Sequence, residues 1–117
     1  MSKIRIGRVG EQIKKEISHL IQYQLKDPRL GFVTITAVDL TGDLSQATIY
    51  VSIMGNEEQI KKSLLALEHS KGFLRTEIGK RIRLRQTPDL IFKLDESIAY
   101  GSKINKLLKE LKEEEKL

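Results

Sequence analysis

The 117-residue chain has no cysteine and no tryptophan, two histidines, two prolines, and three each of tyrosine and phenylalanine. Each shortage excludes something. Without cysteine there is no disulfide framework, no thiolate zinc site and no cysteine nucleophile. His19 and His69 are isolated, with no partner at ligand spacing, so no zinc site and no other cofactor is expected. Aromatic residues make up 5% of the chain, and no strand is rich in them. Readout by base stacking, as in RRM domains, is therefore not expected, which leaves contacts to phosphate and nucleic-acid shape. Tyr50 is the best candidate for an exposed strand aromatic. No apolar run approaches the roughly 20 residues that cross a bilayer. The opening MSKIRIGRVGEQ lacks the apolar centre of a signal peptide. There is no Walker A loop and no G-x-S-x-G elbow. A reducing, cytoplasmic location away from membranes is the expectation.

What remains is 39% hydrophobic and 32% charged, the balance of a soluble globular domain. The length suits one domain spanning residues 1–117, within the common range of about 100–150. The net charge is +5. Residues 1–15, with Lys3, Arg5, Arg8, Lys14 and Lys15 against Glu11, carry +4. Residues 71–85, with Lys71, Arg75, Lys80, Arg81, Arg83 and Arg85 against Glu77, carry +5, leaving −4 for the rest. Two basic segments on a mildly acidic body are what a phosphate-binding face needs.

Apolar spacing gives the elements. Ile6, Val9, Ile13, Ile17, Leu20, Ile21 and Leu25 form one helical stripe, stopped by Asp27-Pro28. Residues 32–40 alternate and are rich in β-branched types. The segment 41–45 is a turn by composition, and Ala47, Ile49, Val51 and Ile53 alternate again. This is a hairpin with one apolar face. Asn56 is placed to cap a second helix, with Gln59 three residues on. Its stripe of Ile60, Leu64 and Leu67 breaks at Ser70–Gly72. Phe73, Leu74, Ile78 and Ile82 resume it in a new phase. Residues 90–94 form a third strand. Ile98, Ile104, Leu107, Leu108 and Leu111 mark a C-terminal amphipathic helix whose tail frays from about residue 112. The order is α-β-β-α-α-β-α. The long helical crossover makes the second and third strands parallel, so a mixed sheet is expected.

Gly7-Arg8-Val9-Gly10 has the form G-x-x-G, the backbone-clamping loop of KH domains. It lies at the start of the first helix, however, whereas type II KH domains carry that loop between the two helices after the hairpin. Here that place holds Ser70-Lys71-Gly72, with one glycine. Two alternatives belong to other classes. One is a carboxylate-dependent nuclease using Asp39, Asp43 and Asp95. The other is a general single-stranded nucleic-acid-binding module.

Several segments in their joint order carry a family resemblance. They are Arg8-Val9; Asp27-Pro28-Arg29-Leu30 with Val33-Thr34-Ile35-Thr36; Asp43-Leu44 with Ala47 and Tyr50-Val51-Ser52; Gly72-Phe73-Leu74-Arg75; Leu84-Arg85 with Pro88-Asp89-Leu90 and Phe92; and Asp95, Ser97, Gly101 and Ile104. Across nearly its whole length the chain resembles the bacterial ribosome-binding factor A family. The resemblance implies an α+β, type II KH-like domain with an interhelical kink, Ala-x-Gly, in place of the G-x-x-G loop, followed by a C-terminal helix. Ser70 stands where that kink has alanine, and its hydroxyl either caps the following helix or contacts RNA. The resemblance further implies a non-enzymatic factor of the immature small ribosomal subunit. Such a factor assists late maturation and 5′-end processing of the rRNA, serves cold adaptation, and is linked to an assembly GTPase. A monomer is expected. The C-terminal helix either packs on the domain or docks on a ribosomal protein. The kink and the basic segments give the candidate RNA-binding set: Lys3, Arg5, Arg8, Ser70, Lys71, Gly72, Arg75, Lys80, Arg81, Arg83 and Arg85.

Overall fold

A computed structural model of the chain describes residues 3–84 and 86–95. The expected C-terminal helix and Arg85 lie outside the described residues. Within them the order is α1 (Lys3–Tyr23), β1 (Phe32–Leu40), β2 (Gln46–Met54), α2 (Glu57–His69), α3 (Lys71–Arg81) and β3 (Asp89–Leu94).

The apolar stripe of α1 becomes its buried side: Ile13, Ile17 and Leu20 are wholly enclosed and Val9 nearly so. The helix ends at Tyr23, earlier than Asp27-Pro28 alone requires. The Leu25 amide turns back to the Leu20 carbonyl at 3.0 Å and closes the last turn. Asp27 is then free to accept from the Arg29 amide and guanidinium, which shapes the loop into β1.

The two glycines of Gly7-Arg8-Val9-Gly10 both lie inside α1. Gly10 faces the hairpin, where a β-carbon would stand 3.4 Å from the Val38 carbonyl oxygen. It permits close approach of helix and sheet and forms no clamp loop.

The sheet has the order β1-β2-β3, with β1 antiparallel and β3 parallel to β2. The mixed sheet expected from the long crossover is what forms. A bulge between Ile35 and Ala37 adds one residue to the edge strand β1. Ile35, Ala47, Ile49, Val51, Leu90 and Phe92 face the helices and join Leu67, Leu74, Ile78 and the α1 stripe in one core. The other face carries Thr34, Thr48, Tyr50, Ser52, Ile91 and Lys93, none of them buried.

Two local devices set α2. Asn56 and Gln59 exchange the expected capping-box bonds, at 2.9 and 2.8 Å. Gly55 before them has φ of 139°, a conformation that side chains rarely adopt, and a β-carbon there would collide with Gln59. On the inner side of α2, Ser63 accepts from the Gly31 amide and donates to the Arg29 carbonyl, pinning the α1–β1 loop.

The break between α2 and α3 is narrower than the sequence indicates. It is confined to Ser70, with φ −93° and ψ −2°. Helical bonding passes through it: the Ser70 amide donates to Ala66 and its carbonyl accepts from Leu74. The Ser70 hydroxyl neither caps α3 nor points outward; it donates to the Ala66 carbonyl at 2.7 Å. Gly72 already belongs to α3, and nothing lies within 4 Å of where its β-carbon would be. Phe73 also departs from its expected stripe. Leu74 and Ile78, four apart, turn inward, and Phe73 is left 42% exposed.

Candidate nucleic-acid interface

The two basic segments are far apart in sequence, and the fold brings part of each to one groove. Arg5 and Arg8 come from the first turns of α1. Arg81 ends α3, and Arg83 follows it. Between them stands the tip of the hairpin, with Asp43 and Leu44. The groove encloses about 1630 Å³ and has an apolar floor that includes Val9, Leu44 and Ile82.

The tip is held in an unusual shape. Leu44 has φ of 60° yet is almost fully buried. A non-glycine residue in this region costs roughly 1–2 kcal/mol, here offset by burial of the side chain. Asp43 organises the rest. Its Oδ1 accepts from the Thr41 hydroxyl at 2.8 Å, the Ser45 amide at 3.0 Å and the Ser45 hydroxyl at 2.7 Å. These bonds, led by that from the Ser45 side chain, hold the carboxyl down at about 2, from an ordinary 3.8. Asp27 is likewise lowered to about 2, chiefly by the Arg29 side chain and amide.

Depressed carboxylates favour the folded state above their unfolded pKa. This contribution is complete above about 4 and is lost as the pH falls toward 2. Carboxyl-carbon NMR titration of the folded chain is expected to place both midpoints near 2. Midpoints near 3.8 would show that these bonds do not persist in solution.

The expected RNA-binding residues divide into distinct groups. Lys71 pairs with Glu68 at 2.8 Å and lies ten residues before Arg81, about 15 Å away along α3. Arg75 pairs with Asp89 and also donates to the Thr87 carbonyl, tying α3 to the approach of β3. Lys80 pairs loosely with Glu77 at 3.5 Å. Arg81 lies in the groove wall but is engaged by Glu16 at 3.1 Å and Glu77 at 3.7 Å, joining α3 to α1. Lys3 is the first residue of α1. Arg8 and Arg83 are exposed and make no ion pair or hydrogen bond with the described residues. Among the arginines that line the groove they are the two available to an external phosphate. Ser70 and Gly72 are not among the groove-lining residues.

The carboxylates of the nuclease alternative are dispersed. Asp39 lies opposite Thr48, whereas Asp95 follows Leu94, which lies opposite Val51. Three residues of strand separate those positions, roughly 10 Å. Among the described residues, no three His, Cys, Asp or Glu gather to hold a metal ion.

Sequence reasoning missed the hairpin tip as a groove wall, together with Gln12 and Gln86, which also line it. Tyr50 is only half-buried, on the face away from the helices. The most exposed large apolar residues are instead Phe32 at 81% and its cross-strand partner Met54 at 76%, at the hairpin end remote from the tip. Strand alternation puts both on the face without helices, opposite Val33, Ile35, Val51 and Ile53.

Fold and groove together define a small basic α+β domain whose described residues place three helices on one face of a three-stranded mixed sheet, with an arginine-walled groove at the hairpin tip. Known proteins share the fold. The family model "Ribosome-binding factor A" matches residues 5–108. Ribosome-binding factor A of Brevibacillus brevis is 59% identical over 114 residues, covering 97% of this chain and 94% of that protein. The crystal structure of ribosome-binding factor A from Thermus thermophilus matches with a TM-score of 0.68 at 31% identity, over 76% of this chain and 94% of that one. A homology model of the Thermus thermophilus factor, fitted into a cryo-EM map of its complex with the 30S subunit, matches with a TM-score of 0.64 at 32% identity. That match covers 78% of this chain and 96% of that one. The chain belongs to the ribosome-binding factor A family.

Proposed function

We propose that this chain is a non-catalytic assembly factor of the small ribosomal subunit. It binds the free, immature particle through rRNA and assists late maturation, including processing of the rRNA 5′ end. The observation that carries this reading is the groove where both basic segments meet, in a chain of this family. A Thermus thermophilus relative is fitted into the map of a 30S complex, which supports the choice of particle.

The domain reads as KH-like of type II. The single-residue break at Ser70 takes the place of the G-x-x-G loop, and contact with RNA moves to the hairpin-tip groove. Arg8 and Arg83 would bind phosphate first. Arg5, Arg81 and Lys80 would add to the field, since exposed ion pairs such as Lys80–Glu77 open at little cost. Lys3 and Arg85 extend the same two segments. Binding that prefers one rRNA conformer shifts the population toward it without chemistry. No cofactor is required. The factor acts as a cytoplasmic monomer of one domain, in concert with an assembly GTPase, and its contribution is largest in the cold, when misfolded rRNA escapes slowly.

Depletion of the chain from its host is expected to accumulate small subunits carrying unprocessed 5′ rRNA ends, more strongly at low temperature. Normal ends and normal subunit ratios after depletion would remove the assembly role.

A further inference from the structure

A carboxylate is an odd wall for a phosphate-binding groove, because it repels the backbone it lies beside. Asp43 is nevertheless fixed there. Its Oδ1 accepts three of the turn's hydrogen bonds, from the Thr41 hydroxyl and the Ser45 amide and hydroxyl. Its Oδ2 has no donor among the described residues. The side chain is exposed, yet the Oδ1 bonds restrain its rotation. The result is a positioned acceptor at the hairpin tip, in a groove lining it shares with Arg5, Arg8, Arg81 and Arg83. The carboxyl is ionised at neutral pH, as an aspartate ordinarily is, and those same bonds lower it further. The residues around it are also unlike a plain phosphate track. Gln12 and Gln86 offer amide groups beside the arginines.

We propose that Asp43 is a specificity-determining residue of this groove, its Oδ2 accepting a hydrogen bond from the exocyclic amine of an unpaired RNA base. Cytosine and adenine present such an amine, and uracil does not. The proposal rests on the reading of the groove as an RNA site. Arg8 and Arg83 hold the phosphates, and Asp43 selects which base sits between them. The hairpin turn thus has a second use besides reversing the chain. The strained Leu44 conformation is what keeps the acceptor at the groove rim.

The test measures binding of the full chain to fluorescently labelled eight-nucleotide oligo(C), oligo(A), oligo(U) and oligo(dC). The wild type is expected to bind oligo(C) and oligo(A) about tenfold more tightly than oligo(U). It should bind oligo(C) and oligo(dC) alike. In Asp43→Asn the amide oxygen can keep the turn bonds while an NH2 group, a donor, replaces Oδ2. Its preference is expected to vanish or turn toward oligo(U), whose carbonyls accept. The wild-type comparison needs no variant, so a folding defect in Asp43→Asn would not protect the proposal. Equal wild-type affinity for all four, falling with salt, would overturn the role of Asp43 and leave the phosphate groove standing. A uniform gain in Asp43→Asn would mean mere repulsion and would also overturn it. Selective loss of an RNA-over-DNA preference would assign Oδ2 to a ribose hydroxyl and overturn the base reading. Absence of salt-dependent binding to any oligonucleotide would remove the groove itself as an RNA site.

Discussion

Replacing Arg8 and Arg83 together by glutamate is expected to weaken binding to small subunits at least about a hundredfold near 0.1 M salt, with the fold intact. The two side chains are exposed and engage no described residue, so their reversal breaks no internal bond. Both line one groove, so a phosphate strand bound there meets two repulsive charges where it met two attractive ones. The dependence of log affinity on log salt should flatten by about two, one for each lost phosphate contact. Unchanged affinity in a folded double variant would place the RNA surface elsewhere.

Arg81 gives the contrast. Basic in the sequence like Arg83, and two residues from it, it is held between Glu16 and Glu77. Arg81→Glu would set a third carboxylate beside those two and loosen α3 from α1. Its thermal midpoint should therefore fall before any effect on RNA can be read. A variant set that treats the two arginines as equivalent would confuse stability with binding.

The second large effect lies in the core. Ile49 is fully enclosed on the central strand, with Val38 and Phe92 as its cross-strand neighbours. Its removal touches the hairpin, the parallel pairing and the helices packed above. Ile49→Ala is expected to cost about 2–5 kcal/mol through lost contacts and the cavity left behind. For a domain of this size that lowers the thermal midpoint by roughly 10–25 °C, read by circular dichroism. Ile49→Val, which removes one methyl group, should cost about 1 kcal/mol. A shift of only a degree or two for the alanine variant would mean that β2 is not the centre of the cooperative unit.

Much of this architecture was legible because single-element patterns determine it. The α1 stripe from Ile6 to Ile21, the alternation of both hairpin strands and the Asn56–Gln59 cap depend on neighbours within a few residues and formed as read, while Leu25 lies past the helix end at Tyr23. The parallel β2–β3 pairing followed from chain length alone, since a helical crossover separates the strands. Where the reading and the structure part, core packing decides at Phe73 and a local bond within the helix decides at Ser70. Phe73 sits one position off the Leu74–Ile78 face, and sequence spacing alone did not separate the two. Ser70 was left between capping and RNA contact, and the Ala66 carbonyl took its hydroxyl instead.

The groove was half legible. Counting charge by segment located its two cationic walls. It gave no sign that the hairpin tip stands between them, because that depends on how α1 crosses β1. The close approach at Gly10 belongs to that crossing, which the spacing of glycines at the start of the first helix does not reveal. Nor did counting tell engaged cations from available ones. Lys71, Arg75 and Arg81 are partnered by Glu68, Asp89 and Glu16, residues whose proximity only the fold creates or confirms.

The measurement that bears most directly on small-subunit binding through this groove is cosedimentation with separated small and large ribosomal subunits across a range of salt. The wild-type chain should be retained on small subunits, released progressively as salt rises, and absent from large subunits, while the Arg8→Glu, Arg83→Glu chain stays in the supernatant. Equal retention on both subunits, or retention indifferent to salt and to the two arginines, would contradict it.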